Sequence, residues 1–195
     1  MSAEQVHHRA PVALVLVDVV QPFDFEGSEA LLEQAEAASK ALARLRRRAR
    51  KAGLPVVYAN DHFGGWTEDF STLVDRSLKP SSPGRAIVSR LKPASGDYYV
   101  LKPKLSAFFG TPLAVLLDHF GARTVVLGGF AGDICVFATA LDAHMRDLRL
   151  VVPMDCTASQ SEEANRRALA YLRRVCDATT APSTALDLES LAAGD

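Results

Sequence analysis

Short, uninterrupted apolar runs alternate along the chain with longer amphipathic stretches, and this alternation predicts strands and helices in turn. The run PVALVLVDVV at residues 11–20 is β-branched and continuous, as expected of a strand covered on both faces. A stretch rich in Ala, Leu, Glu and Arg then predicts a helix from about Ser28 to Gly53, where glycine and the nearby Pro55 supply the stop. PVVYAN (55–60) and DYYVLK (97–102) read as the second and third strands. Between them, residues 61–97 are rich in Gly, Pro and Ser with only short helical pieces, the kind of long connection that shapes a site. TPLAVLLDHFG (111–121) predicts a helix with Thr capping, Pro in its first turn and Gly at its end. RTVVLGG, DICVFATALDAHMRD, LRLVVP and SEEANRRALAYLRRV continue as strand, helix, strand and helix. The whole predicts a mostly parallel α/β sheet with helices on both faces and right-handed crossovers.

The 195 residues, 48% hydrophobic and 23% charged, suit one domain over 1–195, with flexible tails expected at 1–10 and about 186–195. A formal net charge of −1 provides no field to gather nucleic acid or an anionic membrane, so the expected partner is a small molecule. The basic run RLRRRARK (44–51) closes the first long helix, where cations meet the negative end of the dipole. It is expected to be a solvated helix end rather than a polyanion site. No apolar run reaches the roughly 20 residues of a membrane span, and MSAEQVHHRAP lacks a signal-peptide core, which predicts a cytoplasmic protein. Cys135, Cys156 and Cys176 are widely spaced without a CxxC pair, so each is expected as a free thiol.

Ligands of such sheets bind beyond the carboxyl ends of the strands. The first strand ends at Asp18, the second at Asn60, Asp61 and His62, and the third at Lys102; Cys135 follows the fourth in a glycine-rich turn where a helix begins. The helix dipole and a neighbouring lysine would lower the thiol's pKa and favour the nucleophilic thiolate. Asp18, with its own pKa raised by burial, could take the thiol proton and return it to a leaving amine. Lys102 would hold the arrangement electrostatically, and the amides of Ala131 and Cys135 would face a developing oxyanion. Taken singly, each has a plainer reading: a packed cysteine, a turn-forming aspartate, a solvated lysine at 102 or 104. Three complementary groups on three strand ends favour the joint reading.

Three stretches carry a resemblance. ALVLVDVVQPFDFEG resembles the first-strand motif of the isochorismatase-like cysteine hydrolases, which include nicotinamidases and related amidohydrolases. VLKPKLSAFFGTPL is similar to their lysine segment, in which Lys stands four positions before Ser-Ala-Phe, so the correspondence falls on Lys102 and not Lys104. VVLGGFAGDICVFATALDAHMRD resembles their nucleophile motif, with Cys-Val followed by Thr-Ala and Asp-Ala. The resemblance implies a three-layer α/β/α, Rossmann-like fold with a six-stranded sheet in the order 3-2-1-4-5-6, and a catalytic Asp18, Lys102 and Cys135. It also implies a thioester intermediate, a non-proline cis peptide between Phe130 and Ala131, and a homodimer or homotetramer.

The departures from that pattern are Gly132, where the family has Thr, and Gln21, three positions after Asp18 instead of two. Asp61 and His62 are adjacent and the next His is His119, so the Asp-x-His metal pattern of nicotinamidases is missing. No metal and no organic cofactor is therefore expected, and nicotinamide is a less expected substrate. His62, with Phe23, Trp66, Phe108 and Phe130, is expected to line a pocket for a small planar or cyclic ligand. The leading expectation is cleavage of an amide or imide C–N bond. The alternatives are vinyl ether hydrolysis, which needs no nucleophilic cysteine, and an idle binding or oligomerisation module. GGFAGD is not a dinucleotide fingerprint, because Phe130 stands where the second glycine belongs.

Overall fold

The computed structural model describes residues 9–62, 67 and 69–193. β1 (Val12–Val17) is buried along its whole length, as its uninterrupted apolar run requires, and lies between β2 (Val56–Asp61) and β4 (Thr124–Phe130) in a parallel sheet. β3 (Tyr98–Lys102) pairs with β2, and β5 (Arg149–Val151) pairs with β4, giving the expected order 3-2-1-4-5. The sixth strand refines the picture. β6 (Thr157–Ala158) pairs with Gly129 and Phe130, so it continues along the edge of β4 that β5 begins and does not lie outside β5. Pro153 and a 3-10 turn at Met154–Cys156 cut β5 short and return the chain to β4. Beyond β5, Thr179 makes an isolated bridge with Val151.

Because both faces of the sheet are covered, successive residues of β1 enter different cores. Val12, Leu14 and Leu16 pack in one cluster with residues of α1 (Ser28–Lys51) and α3 (Arg85–Leu91). Ala13, Val15 and Val17 pack on the other side with α4 (Leu113–Phe120), α5 (Phe137–His144) and α6 (Glu162–Val175). The long connection after β2 contains α2 (Phe70–Ser77), capped by the Asp69 side chain on the Thr72 N–H, and α3. Part of the expected C-terminal tail is instead docked: α7 (Leu188–Ala193) buries Leu188, and Leu186 is buried before it. The tail residues 1–8 and 194–195 lie outside the described residues.

The basic end of α1 is solvated only in part: Arg44, Arg47 and Lys51 are exposed, whereas Arg46, Arg48 and Arg50 are drawn inward. Arg46 is only 7% exposed. Its guanidinium donates to the Tyr58 hydroxyl at 2.6 Å and to the carbonyls of Lys92 (2.8 Å) and Arg90 (3.1 Å), filling acceptors at the end of α3. Arg48 donates to the carbonyls of Ser183 and Leu186, and Arg50 pairs with Asp97. The fork geometry of Arg explains why cations in the run fasten neighbouring segments. No helix among the described residues is long and apolar enough to cross a membrane.

Gly129, at φ 141°, occupies a backbone conformation that a side chain rarely adopts, and a methyl group there would overlap the Val17 carbonyl oxygen of β1. Gly129→Ala is therefore expected to lower stability by about 2–3 kcal/mol, read as a fall in the urea midpoint with an unchanged slope.

Candidate active site

Asp18 follows the last residue of β1 in a left-handed conformation, φ 53°, which turns the chain out of the sheet. Its N–H still donates to the Ala59 carbonyl at 2.9 Å, so the turn begins from a fixed register. Gln21 donates from Nε2 to the Asp18 carbonyl at 2.9 Å, and the N–H of Asp61 donates to Asp18 Oδ1 at 2.7 Å. Lys102 is the last residue of β3 and sits opposite Asp61 in the β2–β3 register. Its side chain is completely buried. Nζ lies 2.9 Å from Asp18 Oδ2, 3.5 Å from Asp61 Oδ2 and 3.5 Å from Cys135 Sγ, and donates to the Lys104 carbonyl at 3.2 Å.

Cys135 reaches this cluster from a wide turn. β4 ends at Phe130, the Phe130–Ala131 peptide is cis, and Gly132–Val136 form a π-helical turn before α5. The N–H groups of Ile134 and Val136 both donate to the Ala131 carbonyl, at 3.1 and 3.2 Å. Thr139, four residues on, donates its hydroxyl to the Cys135 carbonyl at 2.7 Å and accepts the N–H of Ala107 at 3.0 Å. Asp142, on the same helix face, accepts from the Ser106 hydroxyl at 2.6 Å. These bonds explain the spacing in the sequence: Ser106-Ala107 after Lys102 and Thr139 with Asp142 after Cys135 lock the lysine segment onto the cysteine helix.

The electrostatics differ from the expectation in one respect. Burial pushes the Asp18 carboxyl above its ordinary range, against the pull of Lys102. Burial also acts to lower the Lys102 ammonium, but the Asp18 carboxylate, with Cys135 and Asp61, outweighs it and raises its pKa. The Cys135 thiol, expected to be lowered by the helix end and the lysine, is pushed up to about 12, first by burial and then by the adjacent Asp18 carboxylate. Lys102 pulls it down by less. Burial and the neighbouring Asp18 thus favour the protonated sulfur, and Asp18 lies against both that thiol and the Lys102 ammonium.

These groups open into a cleft of about 500 Å³ lined by Asp18, Ala131 and Cys135 and by Gln21, Asp24, Phe25, Leu31, Asp61, Arg76, Asp133, Ile134 and Gln160. Several expected wall residues are elsewhere. Phe23 and Phe130 are 1% and 0% exposed and pack on each other in the core, and Phe108 is buried on the opposite face of the sheet, under Arg146. They turn inward because each adjoins a strand or helix whose apolar face needs covering. His62 is half-buried after β2, where its N–H donates to the Lys102 carbonyl at 3.4 Å, and it is not among the described residues lining the cleft. Trp66 lies outside the described residues. Asp61, Arg76, Ile134 and Gln160 were not expected as wall residues; the strand-end position of Asp61, opposite Lys102, is the one signal that pointed there. Among the described residues no three His, Cys, Asp or Glu side chains converge as a metal site would require.

The chain is similar to known proteins over most of its length. An isochorismatase domain model matches residues 12–183. The isochorismatase family protein YaaI of Bacillus subtilis is 36% identical over 167 residues, 86% of this chain and 91% of its own length. Maleamate amidohydrolase of Pseudomonas putida is 32% identical over 164 residues, 78% of this chain and 76% of its own. Among solved structures, N-carbamoylsarcosine amidase from Thermoplasma acidophilum aligns with a TM-score of 0.70 at 30% identity, over 90% of this chain and 98% of that one.

Proposed function

The chain belongs to the isochorismatase family and is a hydrolase, and from that premise we propose that it cleaves the C–N bond of a small amide or imide through a thioester on Cys135. The observation that carries this reading is the buried Lys102 ammonium, which touches both the Asp18 carboxylate and the Cys135 sulfur, two residues that line the cleft. As Cys135 Sγ attacks the carbonyl carbon, its proton passes to Asp18 and the carbonyl π electrons move to oxygen. The N–H groups of Ala131 and Cys135 receive that oxyanion; of the other amides in the turn, those of Ile134 and Val136 are held by the Ala131 carbonyl and that of Asp133 by Ser159. When the C–N bond breaks, Asp18 returns the proton to the departing nitrogen, leaving a thioester. Asp18 then takes a proton from water as the water oxygen attacks, and passes it to the Cys135 sulfur as the C–S bond breaks and the acid departs, which restores the thiol and the carboxylate.

Lys102 keeps Asp18 ionised despite burial and balances the charge that moves between oxygen and sulfur. Phe25, Leu31 and Ile134 give the cleft apolar walls, and Gln21 and Gln160 add amide groups able to orient a polar substrate. The experiment is ammonia release from maleamate and N-carbamoylsarcosine, and ring opening of a set of cyclic imides to their half-amide acids, with acid quenching and mass spectrometry of Cys135. An acyl adduct on Cys135 during turnover, absent in Cys135→Ala, is expected. Turnover with no adduct, retained in Cys135→Ala, would move the assignment to hydrolysis without a covalent step.

A further inference from the structure

The backbone of Gly132 lies outside the left-handed region, so its conformation alone does not exclude a side chain. Space does. A methyl group at Gly132 would overlap Asn165 Oδ1 and lie 3.2 Å from Thr157 Cβ. Asn165 projects from the first turns of α6 and is itself held. Its Oδ1 accepts from the Ser159 hydroxyl at 3.2 Å, and its Nδ2 donates to Thr157 Oγ1 at 3.1 Å. The same Ser159 oxygen accepts the N–H of Asp133 at 3.0 Å. Ser159 is 1% exposed and Thr157 is 6% exposed, with Asn165 half-buried against them, so these bonds are partly shielded from water.

We propose that Asn165 is a positioning residue for Cys135, an inference that rests on Cys135 being the nucleophile. The side chain occupies the volume that any side chain at position 132 would need. Through Ser159 it also fixes the Asp133 amide, two residues before Cys135 in the same turn. β6 braces the turn from the strand side, by pairing Thr157 and Ala158 with Gly129 and Phe130. α6 braces it from the helix side through Asn165. The absence of a side chain at Gly132 and the presence of an amide at Asn165 are thus one device: enlarging the first is tolerated only if the second is cut back.

The test reads Cys135 directly. Alkylation by iodoacetamide, located by mass spectrometry, is followed across a pH series, together with the thermal midpoint. The chains compared are the wild type, Gly132→Ala, Asn165→Ala and the double variant. Gly132→Ala is expected to change the Cys135 alkylation rate about tenfold, and to add less than about twofold in the Asn165→Ala background. Asn165→Ala is expected to shift the pH profile as well as the midpoint. Equal effects of Gly132→Ala in both backgrounds would overturn the proposal, as would a lowered midpoint in Asn165→Ala with the wild-type pH profile. Should Gly132→Ala fail to fold, Ser159 decides: Ser159→Ala is expected to reproduce the Asn165→Ala profile and Ser159→Thr, which keeps the hydroxyl, to retain the wild-type one. A wild-type profile in Ser159→Ala would sink the idea. No substrate is used, so failed coupling leaves the amide-hydrolase reading standing, and absent turnover leaves the coupling measurable.

Discussion

Asp18→Asn is expected to reduce amide turnover about 10²- to 10⁴-fold while making Cys135 easier to alkylate, two effects of opposite sign from one substitution. Asparagine keeps the shape and tolerates the φ of 53°, so the backbone is undisturbed. What disappears is the charge. The Asp18 carboxylate is the second cause, after burial, of the thiol's rise to about 12, through its field and its hydrogen bond, whereas Lys102 pulls the other way. Without the carboxylate the thiol pKa falls, and each unit of fall gives about tenfold more thiolate at pH 8. Iodoacetamide labelling at pH 8 should therefore accelerate by about tenfold or more. Hydrolysis should fail all the same, because no base takes the thiol proton during attack and no acid returns one to the leaving nitrogen. Slower labelling in Asp18→Asn would show that the carboxylate does not hold the proton on sulfur, and the proposed division of labour would fall.

Lys102→Met is expected to cost about 3–5 kcal/mol of stability and to abolish turnover, because it strands the buried Asp18 without its ammonium. The loss depends on pH in a direction the shifts determine. Lys102 has a raised pKa in the fold, so its contribution is fully present below the unfolded value of about 10.4 and is lost as pH rises through the folded one. Asp18 is raised as well, so its ionisation works against folding above its unfolded pKa. Removal of Lys102 raises Asp18 further and extends that cost to higher pH. The gap between wild type and Lys102→Met, measured by urea unfolding, should widen from pH 4 to pH 8. A constant gap would mean that Asp18 does not rely on Lys102 for its charge.

The three side chains that meet at the candidate site were legible in the sequence because they stand where apolar runs stop. Asp18 ends PVALVLV, Lys102 ends DYYVL, and Cys135 follows VVLGG, and a parallel sheet gathers such positions at one edge. The cleft walls were not legible for a related reason. Phe23, Phe108 and Phe130 lie near the site in sequence, but a doubly covered sheet needs aromatics in both cores, and the runs carry no alternation to say which side chains face the opening. A helix end and a lysine are visible as residues and point to a lowered thiol pKa, whereas the burial and the closeness of Asp18 that raise it emerge only in three dimensions. Arg46 has the same lesson: a cation in a basic run read as solvated until Tyr58 and the end of α3 closed over it.

The left-handed backbone at Asp18 also bears on how this position can change over generations. Glutamate is reached from aspartate by one nucleotide exchange and is the usual conservative replacement for it. Here it would have to place a longer, less tolerant side chain at φ 53° and push its carboxylate past Lys102. The residues that accept this backbone readily, Asn and Gly, carry no base. A lineage therefore has no graded series of acids to drift through at residue 18. It keeps aspartate, or it crosses in a single step to a chain with the same fold and no carboxylate beside Lys102.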